Sequence, residues 1–453
     1  MVSKKRYDNY KPSGVEWLEE IPAHWQVKDL KHLCSICAEY GLNEAAESYQ
    51  SSGIRFLRTS DIDDFGNITD DGVYLDEELT KKTLLESGDL LISRSGTIGR
   101  TLLFDSAKHG PSSWAGYLVR YRPIQQIIEP RYLFLFSKTL NYVDWLSTQT
   151  ISSTIGNVNG QKFANMPIPV PPLPEQQAIV RFLEERTGKI DALIAHKQQL
   201  LNLLAEKRSA LITQAVTKGL DPSVPLKPSG VEWLGDIPAH WEVKRLKHLA
   251  LKIGSGVTPT GGANVYGSQG VAFLRSQNIH FNGLKLDDVV FIDDQIDQDM
   301  KETRVHYGDI LLNITGASLG RATCFDIKNY PANVNQHVCI IRLDHNYFNF
   351  RFYTYYVSSR ALQDQIFGNQ QGVSREALNF EQLGNLLFVF PLDTEQQAIV
   401  AYLDERLQKL DAVKAALLTA IDRLKEYRSA LITSAVTGKI DVRHLQPKET
   451  LSV

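Results

Sequence analysis

The chain has 453 residues, of which 43% are hydrophobic and 22% charged, and its net charge at pH 7 is −3. This composition is typical of a globular protein with more than one domain, and it excludes a mainly disordered, collagen-like or disulfide-scaffold chain. No apolar run approaches the ~20 residues of a membrane-spanning helix, the first ten residues show no secretory signal, and four cysteines favour a reducing, cytoplasmic setting.

The chain contains the same frame twice. Residues 11–33 and 227–249 differ at only four of 23 positions. Residues 175–221 and 395–441 both begin with EQQAIV and form a second repeated pair in the same order. The sequence is therefore one unit of roughly 220 residues written twice, and such a repeat decides the fold class before any local pattern does.

The segments between the repeated frames have drifted apart. Residues 56–62 (FLRTSDI) still match residues 273–279 (FLRSQNI), and residues 88–100 match residues 308–321 with one inserted residue. Elsewhere in these two middle segments the resemblance is faint. The simpler interpretation is duplication followed by drift of surface loops. The alternative is that the middle segments bind different things while the frames do the same work twice.

Short β-prone runs, bounded by Gly, Pro or Asp, occur in the middle segments at residues 89–93, 117–121 and 338–342. They predict mixed domains, of the α/β (α+β) class, built around a curved and mostly antiparallel sheet.

The repeated segments 175–217 and 395–437 are predicted to be long helices. Asp393 and Gln396 form a capping-box pattern at the start of the second helix. Apolar residues recur at alternating steps of three and four, which predicts a heptad seam. The predicted seam passes through Leu193, Val413 and Tyr427, among other residues.

Each predicted helix would be ~60 Å long at ~1.5 Å per residue, which is more than one domain of ~150 residues can cover. We therefore expect each helix to pair with the other, whereas the alternative is that each lies on its own domain. A two-fold repeat makes the pair antiparallel, and residues 1–10 then lie near residues 440–453.

Motifs for catalysis are absent from the sequence. There is no phosphate-binding loop, no dinucleotide-binding turn, no H-E-x-x-H, and no Asn-Pro-Pro-aromatic element of an adenine methyltransferase. A single G-x-S-x-G string spans residues 316–320, but a nucleophile elbow needs a helix after the serine. Residues 321–325 instead resemble a strand, so we interpret the string as a chance occurrence.

Two further features could suggest a metal site. Cys34 and Cys37 have C-x-x-C spacing, but no second cysteine pair completes a zinc or redox site, so we expect buried, inert thiols. His24 and His240 each precede a tryptophan in the repeated frame, which favours a packed corner over a metal ligand. We expect no catalytic and no metal site, and the chain is interpreted as a reader or an assembler.

Three motifs resemble those of the specificity subunits of type I restriction-modification systems. They are P-S-G-V-E-W-L-x-x-I-P-x-H-W, P-P-L-x-E-Q-Q at a helix start and R-x-A-L-I-T at a helix end. The first and last occur in both copies. The helix start departs from the pattern in the second copy, where residues 391–397 read PLDTEQQ.

The resemblance implies two target-recognition domains joined by two long antiparallel coiled-coil helices in a pseudo-two-fold repeat. Each domain would read one half of a split DNA site. The implied division is a first target-recognition domain over residues 1–172, a central helical spacer over 173–221, a second target-recognition domain over 222–390, and a C-terminal helical spacer and tail over 391–453.

The resemblance also implies the partners of this chain. They are double-stranded DNA, two methylation subunits bound to the helical regions, and restriction subunits that translocate and cleave. S-adenosylmethionine, magnesium and ATP would belong to those partners, with no cofactor on this chain and no membrane association. The helix pair would act as a ruler between half-sites about one turn, roughly 34 Å, apart.

The net charge gives no overall attraction to DNA, so binding must depend on local patches. Lys and Arg are expected at phosphates, and Arg, Asn, Gln, Ser and Thr at base edges. The candidates lie in polar stretches of the two middle segments: Arg58, Thr59, Ser60, Arg94, Ser95, Thr97, Arg100 and Lys162 in the first, and Arg275, Gln277, Asn278, Asn313, Thr315, Ser318, Arg321 and Arg375 in the second. Ordinary solvated loops and strand-end caps are the alternative, and no family motif assigns these residues.

A partner surface could include the residues that recur on the helices. Residues 175–177 (EQQ) recur at 395–397, and Arg208 recurs as Arg428. Helix capping and helix pairing explain much of this recurrence without a partner.

Two other functions stay open from the residues alone. One is a two-fold protein scaffold that assembles partners without reading DNA, which exchange of residues 38–170 would distinguish. The other is an enzyme with an unfamiliar site, which turnover by the isolated chain would reveal.

Overall fold

The computed structural model describes residues 5–69, 72–150, 157–344, 346–368 and 377–444. Contacts between Cα atoms divide the chain into two compact units. Unit 1 comprises residues 1–197 and 418–453, and unit 2 comprises residues 198–417. Because both division points fall inside long helices, each unit contains a part of each of these helices.

Short strands alternate with helices in the first half of the chain. The strands are β1 (Tyr10–Pro12), β2 (Glu20–Pro22), β3 (Gln26–Asp29), β4 (Cys34–Tyr40), β5 (Ile54–Leu57), β6 (Val73–Leu75), β7 (Leu90–Ser93), β8 (Thr101–Leu103), β9 (Ser112–Trp114), β10 (Leu118–Pro123) and β11 (Pro167–Val170). The helices are α1 (Glu77–Thr80), α2 (Ser106–His109), α3 (Pro130–Phe136), α4 (Leu140–Thr150), α5 (Gly160–Ala164) and α6 (Leu173–Lys218).

The second half repeats this order with small additions. Its strands are β12 (Leu226–Pro228), β13 (Asp236–Pro238), β14 (Glu242–Arg245), β15 (Ala250–Ser255), β16 (Val271–Leu274), β17 (Ile279–His280), β18 (Gly283–Leu284), β19 (Val290–Ile292), β20 (Ile310–Asn313), β21 (Ala322–Cys324), β22 (Ala332–Val334), β23 (Val338–Leu343) and β24 (Leu387–Phe390). Its helices are α7 (Asp294–Asp299), α8 (Phe350–Ser358), α9 (Arg360–Gly368), α10 (Phe380–Asn385) and α11 (Asp393–Val436).

The two units have the same sheet topology. Unit 1 contains an antiparallel four-stranded sheet in the order β4-β10-β7-β8, and unit 2 contains the matching sheet β15-β23-β20-β21. The predicted strands at 89–93, 117–121 and 338–342 are β7, β10 and β23, so these predictions are confirmed. In the smaller three-stranded sheets, β5 pairs with β9 and β16 with β22 in parallel.

One central strand of each four-stranded sheet, β7 or β20, begins with three consecutive apolar residues because both of its faces are covered. In β7, Leu90 and Ile92 face one hydrophobic core while Leu91 faces another. In β20, Ile310 and Leu312 face one core and Leu311 the other. Side chains that alternate along a strand thus fill two cores, which a continuous apolar run permits.

The two long helices pair antiparallel within each unit, as predicted. In unit 1, Ile179 of α6 and Ile432 of α11 share one core, and Asp191 forms an ion pair with Arg428 at 2.8 Å. In unit 2, Ile399 of α11 and Ile212 of α6 share one core. There Arg208 binds Asp411 at 2.8 Å, so residue numbers rise along one helix as they fall along the other.

The predicted heptad seam is wrong at several positions, of which three carry large apolar or aromatic side chains. Leu193 is 50% exposed, Val413 48% and Tyr427 54%. In two of these cases the next residue along the helix, Ile194 or Arg428, is partly buried instead. A straight helix has 3.6 residues per turn, so its covered stripe drifts away from a strict 3.5-residue repeat.

A carboxylate at the start of each long helix organises the repeated frame. Glu175 is buried and accepts hydrogen bonds from Tyr7 Oη at 2.6 Å and Trp25 Nε1 at 3.1 Å, while His24 Nε2 lies 2.8 Å from its second oxygen. In unit 2, Glu395 binds His240 and Trp241 in the same way, at 2.9 and 3.2 Å. The recurring histidine therefore belongs to a packed corner.

The segments near the two ends of the chain meet in unit 1. The backbone N–H of Asp441 donates to Lys5 O at 2.8 Å, and Tyr10 Oη donates to Gly438 O at 2.9 Å. Arg443 lies over the ring of Tyr7, 4.9 Å from its centroid. The predicted proximity of the ends is confirmed for these described residues.

Among the helices of the described ranges, none has both the length and the hydrophobicity that a membrane-spanning helix requires.

We predict that Glu175→Ala destabilises unit 1 by about 3 kcal/mol, because it leaves buried donors on Tyr7 and Trp25 without an acceptor. Glu395→Ala is the matched control. The side chain of Glu395 is 31% exposed, against 5% for Glu175, so water can replace it and we expect a loss near ~1 kcal/mol. Native-state hydrogen exchange of β3 and β14 amides measures the two units separately. Equal losses would contradict this interpretation of the corner.

Candidate nucleic-acid interface

The structure brings together two segments of unit 1 that the sequence analysis singled out. One is the turn Arg58–Asp61, which follows β5, and the other is the loop 94–100, which joins β7 to β8. Arg100 connects them, because its Nη1 donates to Ile62 O at 3.0 Å and its Nε to Asp64 Oδ1 at 2.6 Å. The candidates Thr59 and Ser60 lie on this turn, with Ser60 exposed.

The turn is held by a buried carboxylate. Asp61 is fully buried and accepts a hydrogen bond from the backbone N–H of Arg58 at 2.9 Å. The Arg58 guanidinium binds the same carboxylate, with Nη2 2.8 Å from Oδ1, and Ser60 Oγ donates to it at 3.0 Å. Arg58 therefore stabilises the turn with its own charge.

The loop 94–100 presents an arginine beside exposed aromatic rings. The guanidinium of Arg94 lies 5.0 Å from the ring centroid of Tyr40, and its Nε donates to Asn157 Oδ1 at 3.3 Å. Ser95 pairs with Asn157 through a β-bridge. Tyr40 is 42% exposed and Tyr117 59%, so this part of unit 1 is an open surface.

Glycine is required where the loop turns back. Gly99 has a φ of +82°, and a Cβ there would lie 2.2 Å from Leu146 Cδ2. The nearby Thr97 has a buried hydroxyl with no hydrogen-bond partner among the described residues. Thr97 is thus placed inside the loop rather than at its surface.

Two lysines lie near these segments. Lys162, on α5, donates from Nζ to Gln149 O at 3.1 Å. Lys138 was not predicted, and it supports the segment after the turn by donating to Asp64 O at 3.0 Å. Burial lowers the pKa of Lys138 to about 8, because its ammonium group is partly removed from water.

Unit 2 builds the equivalent turn without a charged pair. Asn278 is fully buried and accepts from the backbone N–H of Arg275 at 2.9 Å. Its amide donates to Lys285 O at 2.9 Å and to Asp288 Oδ1 at 3.0 Å. Gln277 also donates to Asp288, so this acidic residue organises the turn of unit 2.

The β20–β21 loop is tied to the turn of unit 2 by Asn313, which is buried and donates to Ser276 O at 2.8 Å. Thr315 Oγ1 lies 2.7 Å from His337 Nδ1, and Gln336 Nε2 donates to His337 Nε2 at 3.1 Å. Ser318 lies in a short 3-10 helix (Gly316–Ser318).

Arg321 follows at the end of this loop, where it is partly buried. The candidate Arg375 lies outside the described residues.

Sequence analysis missed the tyrosines beside Arg94 and the histidine of unit 2. When the two copies are aligned, Tyr117 and His337 occupy the same position, directly before β10 and β23. A comparison of the two copies position by position would have identified this pair. Tyr40 ends the long strand β4, and no local signal links it to Arg94.

Most of the helix residues considered for a partner surface have partners inside the chain. Gln176 donates to Ile127 O at 3.0 Å and accepts from Glu129 N at 2.8 Å. Gln396 accepts from Asn349 N at 2.9 Å in the same way. Capping and helix pairing thus account for this recurrence.

Burial disfavours the thiolate form of the four cysteines, of which Cys34, Cys324 and Cys339 are buried and Cys37 is partly buried. All are free, and burial raises the pKa of Cys324 to about 11 and that of Cys339 to about 12. Burial also raises the pKa of Cys34 and Cys37. A thiolate is the form that attacks substrates or binds metals, and these environments disfavour it.

Comparison with known proteins gives consistent matches along the chain. A family model described as the type I restriction modification DNA specificity domain matches residues 22–203 and 238–423. The chain is 24% identical to a putative type I restriction enzyme MjaX specificity subunit of Methanocaldococcus jannaschii, covering 96% of this chain and 97% of that protein. It is 23% identical to the EcoBI specificity subunit of Escherichia coli, covering 68% of this chain and 65% of that protein.

A solved structure concerned with complex assembly and conformational transition of the type I R-M system contains a chain of similar fold. The TM-score is 0.67 at 18% sequence identity, and the match covers 92% of this chain and 98% of that chain. The similarity extends over both repeats.

We predict that Asn278→Asp destabilises unit 2 by about 3 kcal/mol, because it places a buried carboxylate beside that of Asp288. The loss should shrink at acidic pH, where a carboxyl group is protonated. Asp61→Asn is the matched exchange in unit 1, and it keeps the acceptor for Arg58 N, so we expect a loss of about 1.5 kcal/mol. Urea unfolding measures both. A fully stable Asn278→Asp chain would contradict the described packing.

Proposed function

Since the chain belongs to the family of type I restriction-modification DNA specificity subunits, we propose that its two units read the two halves of a split DNA target. Subunits of this kind are non-catalytic, and methylation and cleavage are carried out by partner subunits. The specific assignment proposed for this chain is one half-site for each unit.

One observation carries this proposal: the same scaffold holds different side chains at equivalent loop positions. Arg94 corresponds to Ile314 and Tyr117 to His337 when the two copies are aligned. The strands that support these loops, β7 with β8 and β20 with β21, pair in the same way. Recognition of two different base sequences by one repeated fold requires such a difference.

The proposed DNA contacts follow from exposure and charge. Base-reading candidates are the side chains on the two turns and the two loops, and phosphate candidates are the basic residues beside them. Arg58, Asn278 and Asn313 are bonded inside their own units, and the hydroxyl of Thr97 is buried inside its loop, so we assign these four residues to shaping the turns and loops. The remaining proposed contacts are Thr59, Ser60, Arg94, Ser95, Arg100, Lys162, Arg275, Gln277, Thr315, Ser318, Arg321 and Arg375.

We further propose that residues 1–172 and 222–390 are the target-recognition domains, and that 173–221 and 391–453 are spacers, the latter with a tail. Helices α6 and α11 account for most of both spacers. Two methylation subunits would bind the helical regions and restriction subunits would join that core. S-adenosylmethionine, magnesium and ATP would be bound by those partners, and a cytoplasmic location follows from DNA as the target.

The experiment is to reconstitute the chain with its methylation subunits and to sequence the modified bases in DNA. We expect a two-part motif with a fixed spacer. Replacing residues 38–170 by the chain's own residues 254–390 should give a motif that contains the second half-site twice, because both units then carry the same loops.

Methylation of all sequences equally by the unmodified complex would overturn the proposed function. An unchanged motif after the exchange, with assembly intact, would favour the scaffold alternative. Size-exclusion chromatography of the exchanged complex provides the assembly control.

A further inference from the structure

We propose that Arg94 reads a guanine in the half-site bound by unit 1, and that Tyr40 is the positioning residue that orients it. This inference rests on the proposed function, since it names the base contact of the same surface. It names the base that is read at one position of one half-site, and it assigns a role to Tyr40, which lies outside the repeated motifs.

The Arg94 side chain is held from two sides. The ring of Tyr40 lies 5.0 Å from the guanidinium carbon, and Nε donates to Asn157 Oδ1 at 3.3 Å. The backbone is fixed as well, because Arg94 N donates to Tyr117 O at 2.9 Å. Tyr40 is itself anchored, since its hydroxyl accepts from Gly160 N at 2.9 Å.

These contacts leave the terminal N–H groups of the Arg94 guanidinium available to a ligand. Its Nε is occupied, whereas its two terminal nitrogens have no hydrogen-bond partner within the described part of the chain. A terminal pair of N–H groups matches the O6 and N7 acceptors that guanine presents in the major groove. Holding the side chain in advance reduces the conformational entropy that binding must remove.

The other candidate arginines of unit 1 are engaged with carboxylates. Arg58 binds Asp61 at 2.8 Å, and Arg100 binds Asp64 at 2.6 Å. Arg94 instead has an aromatic ring and a neutral amide as partners. No carboxylate of the described residues forms an ion pair with it, and an uncompensated charge favours a polar, electron-rich ligand such as a base edge.

Unit 2 lacks this arrangement. Ile314 stands at the position of Arg94, and Ser255, which pairs with Cys339 as Tyr40 pairs with Val119, stands at that of Tyr40. The surface there carries Thr315, His337 and Gln336, which contact one another. The guanine contact should therefore belong to one half-site alone, and the other half-site serves as an internal control in every measurement.

The test uses the complete complex with its methylation subunits and a DNA library randomised over both half-sites. Arg94→Gln should reduce the preference for guanine at one position of one half-site by about 10-fold or more. Arg94→Lys should reduce it too, because an ammonium group cannot form the paired contact. Tyr40→Ala should weaken preference at the same position, and Tyr40→Phe, which keeps the ring but loses the hydroxyl that anchors it, should weaken it less.

Arg131→Gln is the matched control, because Arg131 is a surface arginine paired with Glu184 at 3.0 Å. It should leave both half-sites unchanged. The Tm of each variant is measured alongside, and Arg94→Lys serves as the test if Arg94→Gln does not fold.

A uniform loss of methylation with unchanged base preference would overturn the inference, since that result identifies a phosphate contact. A change in the other half-site would overturn it as well. A wild-type complex without any base preference would instead defeat the proposed function, so the two failures are distinguishable.

Discussion

Each unit depends on segments of both long helices, and in unit 1 one of these segments comes from the distant residues 418–453. The core of unit 1 contains Ile432 and Val436 of α11, and Tyr132 Oη donates to the carbonyl of Val436 at 2.9 Å. The core of unit 2 contains Ile212 and other residues of α6. Without these helix segments, the sheet domain of each unit would expose apolar surface to water. The helices pair antiparallel because each unit needs a segment of both helices to cover its apolar core.

Several contacts of this frame occur in both units, whereas the loop side chains differ between them. Asp89 binds Arg122 at 2.7 Å and Asp309 binds Arg342 at 2.7 Å, with both carboxylates fully buried. Fixed contacts of this kind hold the central strands in place while the adjoining loops carry different side chains. Since core packing tolerates little change and surface loops tolerate much, duplication followed by loop divergence gives two binding surfaces on one scaffold.

The helices, their pairing and the antiparallel strands could be predicted because repeats and local periodicity determine them. The parallel pairs β5–β9 and β16–β22 could not, because they join strands separated by long insertions. Among the polar candidates, sequence could not distinguish Arg58, which is engaged by Asp61, from Arg94, which forms no ion pair with a carboxylate in the part of the chain that the structure describes. The contact between Arg94 and Tyr40 depends on strands that only the folded sheet brings together.

The central claim is that one antiparallel helix pair completes both units, and crosslinking tests it most directly. With Cys37 replaced by serine, we would introduce Asp191→Cys with Arg428→Cys, and separately Arg208→Cys with Asp411→Cys. A short bifunctional thiol reagent should crosslink both pairs within a single chain. Two further variants combine Asp191→Cys with Asp411→Cys and Arg208→Cys with Arg428→Cys. Crosslinking of these pairs, with none of the first two, would indicate parallel helices and would contradict the claim.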